Sequence, residues 1–161
     1  MDENQKYSLD VVRIRQVKER ELYSEAPVNT PERAVQLVAE LLSDFDRELF
    51  CIVNLQADLR PINLNIVSMG ALNMASVHPR EVMKSAILSN AASIKMFHSH
   101  PSGNLTPSKE DIALTDRMIQ VCELMQIPVM DHIIVGNDRE YYSFHANCSF
   151  PLPGNHYASD I

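Results

Sequence analysis

Leu49-Phe50-Cys51-Ile52-Val53 is an unbroken apolar run in the first half of the chain. A short run without polar alternation is typical of a strand that is covered on both faces of a sheet. Next to it, the turn-like residues 56–60 and the apolar positions within residues 62–67 predict a second strand, antiparallel to the first. Before it, Thr30-Pro31 predicts a helix start, because threonine caps helices well and proline suits the first helical position.

The remaining apolar patterns complete the set of elements. We predict an early strand over 7–18, a helix from Pro79, a strand over 93–97, a helix over about 109–125 capped by Ser108, and strands over 129–135 and 141–145. This order predicts the fold class α/β, with a central mixed β-sheet flanked by helices. The predicted organisation is an N-terminal strand and linker over 1–29, one domain over 30–148 and a tail over 149–161.

Charge and composition restrict the classes of function. The chain has 161 residues, with 14 Lys and Arg against 21 Asp and Glu, a net charge of -7. An acidic balance argues against a general nucleic-acid binder, which needs clustered cations. No run approaches the ~20 apolar residues that cross a bilayer, and the first residues lack the order of a secretory signal. The three cysteines form no CxxC pair, so we expect reduced thiols, two or more of them buried, and a cytoplasmic location.

The chemistry concentrates in His98-Ser99-His100-Pro101 and the helix start that follows it. Histidines at i and i+2 in an extended chain point to the same face, so both imidazoles can reach one metal ion. A loop containing Gly103 can then return Asp111 to them. Two imidazoles and one carboxylate leave a fourth position open, as in catalytic zinc sites.

Each part of this pattern has a simpler explanation. Histidines also serve in caps and cores, and Ser108 with Asp111 forms a Ser-x-x-Asp capping box that needs no metal. Pro101 and Gly103 can simply shape a turn. The conjunction of a paired histidine at a strand end, a loop and an aspartate in the next helical turn favours the metal site.

These residues resemble the His-x-His-Pro…Ser-x-x-Asp signature of the JAMM/MPN+ metalloproteases. The finer resemblance is to the bacterial RadC family of JAB/MPN domains, and it runs from about Pro31 to Phe144. The segments that carry it are Val77-His78-Pro79-Arg80-Glu81-Val82, His98-Ser99-His100-Pro101-Ser102-Gly103-Asn104, Pro107-Ser108 and Asp131-His132-Ile133-Ile134-Val135-Gly136.

The resemblance implies a fold, a cofactor and roles for five residues. The fold would be the cytidine-deaminase-like arrangement of JAB/MPN domains. The metal would be Zn²⁺, held by His98, His100 and Asp111. Glu48 would be the general acid/base and Ser108 would support the metal water or the developing oxyanion. The implied activity is zinc-dependent hydrolysis of a peptide or isopeptide bond in a peptide or protein substrate.

Several alternatives stay open. Glu81 is a rival to Glu48, although a carboxylate in the first turn of a helix already complements the helix dipole. Asp131-His132 is either a neighbour that orients a metal ligand or a buried structural pair. A non-catalytic metal-binding interaction module and a DNA-repair-associated RadC-like protein are the alternative functions. The DNA link is weakened because the first 30 residues resemble no helix-hairpin-helix region. Nucleobase deamination is disfavoured because His-x-Glu and Pro-Cys-x-x-Cys are missing.

Overall fold

A five-stranded mixed sheet forms the centre of the computed structural model, which describes residues 9–70 and 77–149. Its strands are β1 (Leu49–Leu55), β2 (Pro61–Met69), β3 (Ser93–Ser99), β4 (Val129–Val135) and β5 (Tyr141–Ser143). The helices are α1 (Pro31–Ser43), α2 (Pro79–Leu88) and α3 (Lys109–Leu124), and a short 3-10 turn spans Asn137–Arg139.

The sheet has the strand order β2-β1-β3-β4-β5. β1 is antiparallel to both β2 and β3, β3 is parallel to β4, and β4 is antiparallel to β5. The α/β fold with a mixed sheet is therefore confirmed, as is the antiparallel pairing of the first two strands. Every residue of β1 and of β3 is buried, as expected for strands covered on both faces.

Helices cover the two faces of the sheet and create two apolar clusters. Alternation along β1 sends Phe50 and Ile52 to the cluster under α2 and α3, and Cys51 and Val53 to the cluster under α1. Leu114 continues the first of these clusters on α3. The candidate site lies at the edge of this first cluster, where β1 begins and β3 ends.

Helix starts follow the predicted signals. The side chain of Thr30 accepts a hydrogen bond from the backbone N–H of Arg33, and Pro31 occupies the first turn of α1. Ser108 caps α3 in the same way, with Asp111 as its partner. α2 begins at Pro79, but His78 makes no side-chain cap.

The strand predicted over residues 7–18 is wrong wherever the structure describes it. Residues 9–23 belong to no helix or strand, and residues 7 and 8 lie outside the described ranges. The apolar side chains of this segment are exposed, Val11 completely. Local alternation predicts a strand only when a neighbouring strand supplies hydrogen bonds, and β2 does not pair with this segment.

A smaller difference concerns the end of the last strand. β5 stops at Ser143 because the backbone turns there, with the N–H of Asn147 donating to the Ser143 carbonyl. The predicted tail lies outside the described ranges except for residue 149.

The cysteines match the expectation of buried, reduced thiols. Cys51 and Cys122 are free and buried, and burial raises the pKa of each to about 12, whereas Cys148 is free and exposed. None of the helices over 9–70 and 77–149 is long and apolar enough to span a membrane.

Candidate metal centre

The end of β3 brings two imidazoles together. His98 and His100 project to the same side, with ring centroids 4.5 Å apart, and His98 is only 4% exposed. The backbone N–H of His100 donates to the Val135 carbonyl at 2.8 Å, so pairing with β4 holds this strand end. In the sheet register His98 lies opposite Phe50 of β1.

Ser99 places Glu48 beside these histidines. Its hydroxyl is buried and accepts a hydrogen bond from the backbone N–H of Leu49 at 2.9 Å. The Glu48 carbonyl in turn accepts from the N–H of Gly70 at 3.0 Å. The backbone on both sides of the Glu48 side chain is therefore fixed, and its carboxylate Oε2 lies 3.9 Å from His98 Nε2.

Three of the predicted side chains are close enough to share one metal ion. One ligand atom each from Glu48, His98 and His100 lies within 4.8 Å of the other two. The structure thus groups Glu48 with the two histidines, and the predicted third ligand, Asp111, falls outside this group.

Asp111 reaches the site from the first turn of α3. Its Oδ2 accepts hydrogen bonds from the backbone N–H and the hydroxyl of Ser108, at 2.8 and 2.7 Å, and its own N–H donates to the Ser108 hydroxyl at 3.0 Å. Its Oδ1 lies 2.9 Å from His98 Nδ1, and its Oδ2 lies 3.9 Å from His100 Nε2. The capping box is therefore present, and it is also what holds this carboxylate against the histidines.

The surroundings of Asp111 keep its carboxylate charged. Burial acts to raise the pKa of this group, but the contact with His98 and the hydrogen bonds from Ser108 outweigh it. The net effect holds the pKa of Asp111 well below its usual range. An anion is the form in which a carboxylate binds a metal ion.

His100 is oriented by the loop that follows it. Its Nδ1 bonds the Asn104 carbonyl, which can only accept, so the proton is on Nδ1 and Nε2 keeps its lone pair. Gly103 has φ +78°, and a Cβ there would lie 2.7 Å from the side-chain nitrogen of Asn137. Glycine adopts this positive φ without strain, so the loop can close over His100.

The ring nitrogens of His98 show whether a cation fits this site. Neither of its buried ring nitrogens makes a regular hydrogen bond within residues 9–70 and 77–149, although Nδ1 lies 2.9 Å from Asp111 Oδ1. Buried polar atoms without partners are costly, and a bound cation would satisfy one of these nitrogens. An ion on Nε2 would adjoin Glu48 and an ion on Nδ1 would adjoin Asp111. The residues fit a metal ion.

A second buried histidine contacts the helix that carries Asp111. His132 on β4 is fully buried and stacks on Phe144 with ring centroids 4.9 Å apart. Its Nδ1 lies 2.6 Å from the hydroxyl of Thr115, which donates to the Asp111 carbonyl, also at 2.6 Å. Burial and, next, the nearby His98 lower the pKa of His132 to about 3, so its ring is neutral.

The predicted residues are distributed as follows. Glu48, His98, His100, Ser108 and Asp111 all meet at this end of the sheet, whereas Glu81 pairs with Lys84 on the surface of α2. Asp131 and His132 have different partners. Asp131 accepts hydrogen bonds from the Ser143 hydroxyl and the N–H of His145, which is a structural role. Sequence reasoning missed Thr115. Its position one helical turn after Asp111, on the same face of α3, was the available signal.

Comparisons with known proteins find similar sequences over most of the chain. Residues 28–149 match the family described as the RadC-like JAB domain. UPF0758 proteins from Desulforudis audaxviator and Desulforamulus reducens are 46% and 45% identical over 112 residues, 70% of this chain and 49% of each relative. One from Caldanaerobacter subterraneus is 40% identical over 112 residues, 70% of this chain and 48% of that relative. The chain therefore spans about half the length of the curated relatives it matches.

Proposed function

The chain belongs to the RadC-like JAB domain family, and we propose that it is a zinc-dependent hydrolase that cleaves a peptide or isopeptide bond. The observation that carries this proposal is the buried imidazole of His98, whose unpartnered nitrogens lie between the carboxylates of Glu48 and Asp111. Two imidazoles and a carboxylate, with water in the fourth position, are typical of catalytic zinc sites.

His98, His100 and Asp111 would hold the zinc ion. The donor set of two imidazoles and one carboxylate is one that zinc prefers, and the hydrogen bonds to Asn104 and Ser108 orient two of the three ligands. When bound, the ion lowers the pKa of a coordinated water to about 7 and polarises a carbonyl.

Glu48 would move the proton in this reaction. Amide hydrolysis requires a base that removes a proton from the attacking water and an acid that gives one to the leaving nitrogen. The Glu48 carboxylate is 3.9 Å from His98 and is about two-fifths exposed, so it adjoins the site while solvent and substrate can still reach it. One carboxylate can perform both transfers in sequence, ending in its original ionisation state.

Ser108 would serve in two ways. In the structure its hydroxyl donates to Asp111, which orients that ligand. The residue is also exposed at the N-terminus of α3, where the helix dipole favours negative charge. We propose that the same hydroxyl turns toward the developing oxyanion, an effect worth about 3 kcal/mol in other hydrolases.

The direct test measures zinc content and peptide turnover in matched variants. We expect about one zinc per wild-type chain, loss of that zinc in His98→Ala and Asp111→Asn, and turnover of at least one member of a peptide and isopeptide panel. Glu48→Gln is expected to keep its zinc and lose turnover about 100-fold or more. Glu81→Gln is the control, because its carboxylate pairs with Lys84 on the surface.

The same measurements separate the alternatives. A non-catalytic metal-binding module would keep its zinc and bind its partner equally well with Glu48→Gln. Retention on DNA at low salt would favour a DNA-associated role over a peptide or protein substrate. The net charge of -7 argues against binding to DNA. A metal-free wild-type protein purified without chelators would contradict the proposal as a whole. The free thiols fit a cytoplasmic location, which we propose as well.

A further inference from the structure

Thr115 and His132 connect the helix that carries Asp111 to the sheet that carries the histidines. The Thr115 hydroxyl lies 2.6 Å from the Asp111 carbonyl and 2.6 Å from His132 Nδ1. Thr115 is 1% exposed and His132 is fully buried. We call these two residues the clamp, because their hydrogen bonds link the first turn of α3 to β4.

The direction of each hydrogen bond in the clamp follows from the proton count. The Asp111 carbonyl has no proton, so the hydroxyl proton of Thr115 must lie between these two oxygens. The Thr115 oxygen can then only accept from His132, which fixes the proton of His132 on Nδ1. Both links are thus ordinary donor–acceptor pairs, and reversing either one would leave two acceptors face to face.

The position of the clamp in the sheet relates it to the metal ligands. β4 is parallel to β3 and next to it, with His132 opposite Met96 and Ile134 opposite His98. The rings of His132 and His98 lie almost parallel, 14° apart in plane, with centroids 6.4 Å from each other. A change in the clamp would therefore shift Asp111 relative to the strand end that carries His98.

We propose that Thr115 and His132 are positioning residues for the metal centre, which set the placement of Asp111 against His98. This inference rests on the proposed function, because it takes Asp111 as a metal ligand. Buried groups that orient metal ligands typically change metal affinity 10–100-fold when they are removed. A threonine that bonds the carbonyl four residues back is otherwise common in helices, and such a bond alone would affect stability only.

Two matched pairs of variants test the clamp. Thr115→Val keeps the shape of the side chain and removes the hydroxyl, whereas Thr115→Ser keeps the hydroxyl. His132→Phe keeps the aromatic stack on Phe144 and removes the donor, whereas His132→Asn presents an N–H near the position of Nδ1. For each folded variant, the zinc dissociation constant is measured by competition with a chromophoric chelator, and the visible absorption of the Co²⁺-loaded protein reports ligand geometry.

We expect the dissociation constant to rise 10–100-fold in Thr115→Val and His132→Phe, with an altered Co²⁺ spectrum, and to return toward the wild-type value in Thr115→Ser and His132→Asn. Asn54→Ala is the control. It removes buried hydrogen bonds to Asn63 and Ser85 at the far end of β1, roughly 20 Å from Glu48 at the usual rise per residue of a strand. It should lower the unfolding midpoint without changing the dissociation constant.

The outcomes separate this inference from the function it rests on. If the wild-type protein binds zinc and both Thr115→Val and His132→Phe bind it within twofold of wild type, the clamp is structural only and the inference is overturned. A tenfold loss that Asn54→Ala shares equally also overturns it, because general destabilisation would then explain the effect. If the wild-type protein binds no zinc, the proposed function fails and the clamp has no metal ligand to position.

Discussion

Ser99 shows how one buried hydroxyl can set the position of a neighbouring side chain. It accepts a hydrogen bond from the backbone N–H of Leu49, the residue directly after Glu48. Ser99→Ala would leave that N–H buried without its acceptor, so the free energy of unfolding should fall by about 1–3 kcal/mol. Denaturant unfolding measures this change. Ser68→Ala is the control, because that residue is half-buried and its hydroxyl makes no side-chain hydrogen bond to any residue within 9–70 and 77–149. Equal effects of the two substitutions would contradict the role of Ser99.

His132 predicts how the stability of the metal-free protein depends on pH. Its folded pKa of about 3 lies below the ordinary value of 6.5, so the unfolded state binds more protons between these values. The free energy of unfolding should therefore fall as the pH is lowered from about 6.5 toward 3. Unfolding measured between pH 7 and 4.5 should show a steeper loss for wild type than for His132→Phe. Parallel curves would show that His132 is not buried in its neutral form.

Substitutions at the N-caps of α1 and α3 distinguish an effect on stability from an effect on metal binding. Thr30→Ala and Ser108→Ala each remove a side-chain acceptor from a helix N-terminus, and each should cost about 1 kcal/mol. Only Ser108 also bonds Asp111 Oδ2, so only Ser108→Ala should weaken zinc retention. Thermal unfolding and chelator competition measure the two effects. Equal zinc retention in both variants would show that Ser108 is a helix cap and nothing more.

Elements with strong local signals could be predicted from the sequence. Thr30-Pro31 and Ser108 mark helix starts through side-chain chemistry within three residues, and the structure places α1 and α3 there. The strand predicted over 93–97 extends to Ser99, because pairing with Phe50 and Val135 continues beyond the apolar run. Tertiary pairing decides where such a strand ends, and local composition does not report it.

In the described part of the chain, the helices and strands begin at Pro31, and the segment before them has no secondary structure. Residues 9–18 carry cleavable basic residues and exposed apolar side chains, outside both apolar clusters. Trypsin should therefore cut first after Arg13, Arg15 or Lys18 and leave the domain from α1 onward intact. Mass spectrometry of a digestion time course measures the order of cuts. First cuts within α1 to α3 would contradict this division of the molecule.

The sequence could suggest candidate metal ligands, but it could not predict the contacts that surround them. His98, His100 and Asp111 form a recognisable motif because their spacing is short and their chemistry is restrictive. Thr115 and His132 are 17 residues apart in sequence, and their contact exists only because α3 packs against β4. The bond between Ser99 and Leu49 spans 50 residues and depends equally on the sheet. Long-range packing, which no local pattern encodes, therefore completes the site.

We propose that the two imidazoles and Asp111 hold one zinc ion and that Glu48 transfers protons beside it. Anomalous difference maps from crystals of the zinc-loaded protein, collected on both sides of the zinc absorption edge, test it most directly. We expect one peak bonded to His98, His100 and Asp111 at about 2.0–2.2 Å, with a fourth position open to water. No peak at these side chains, or an ion bonded to Glu48 in place of Asp111, would contradict it.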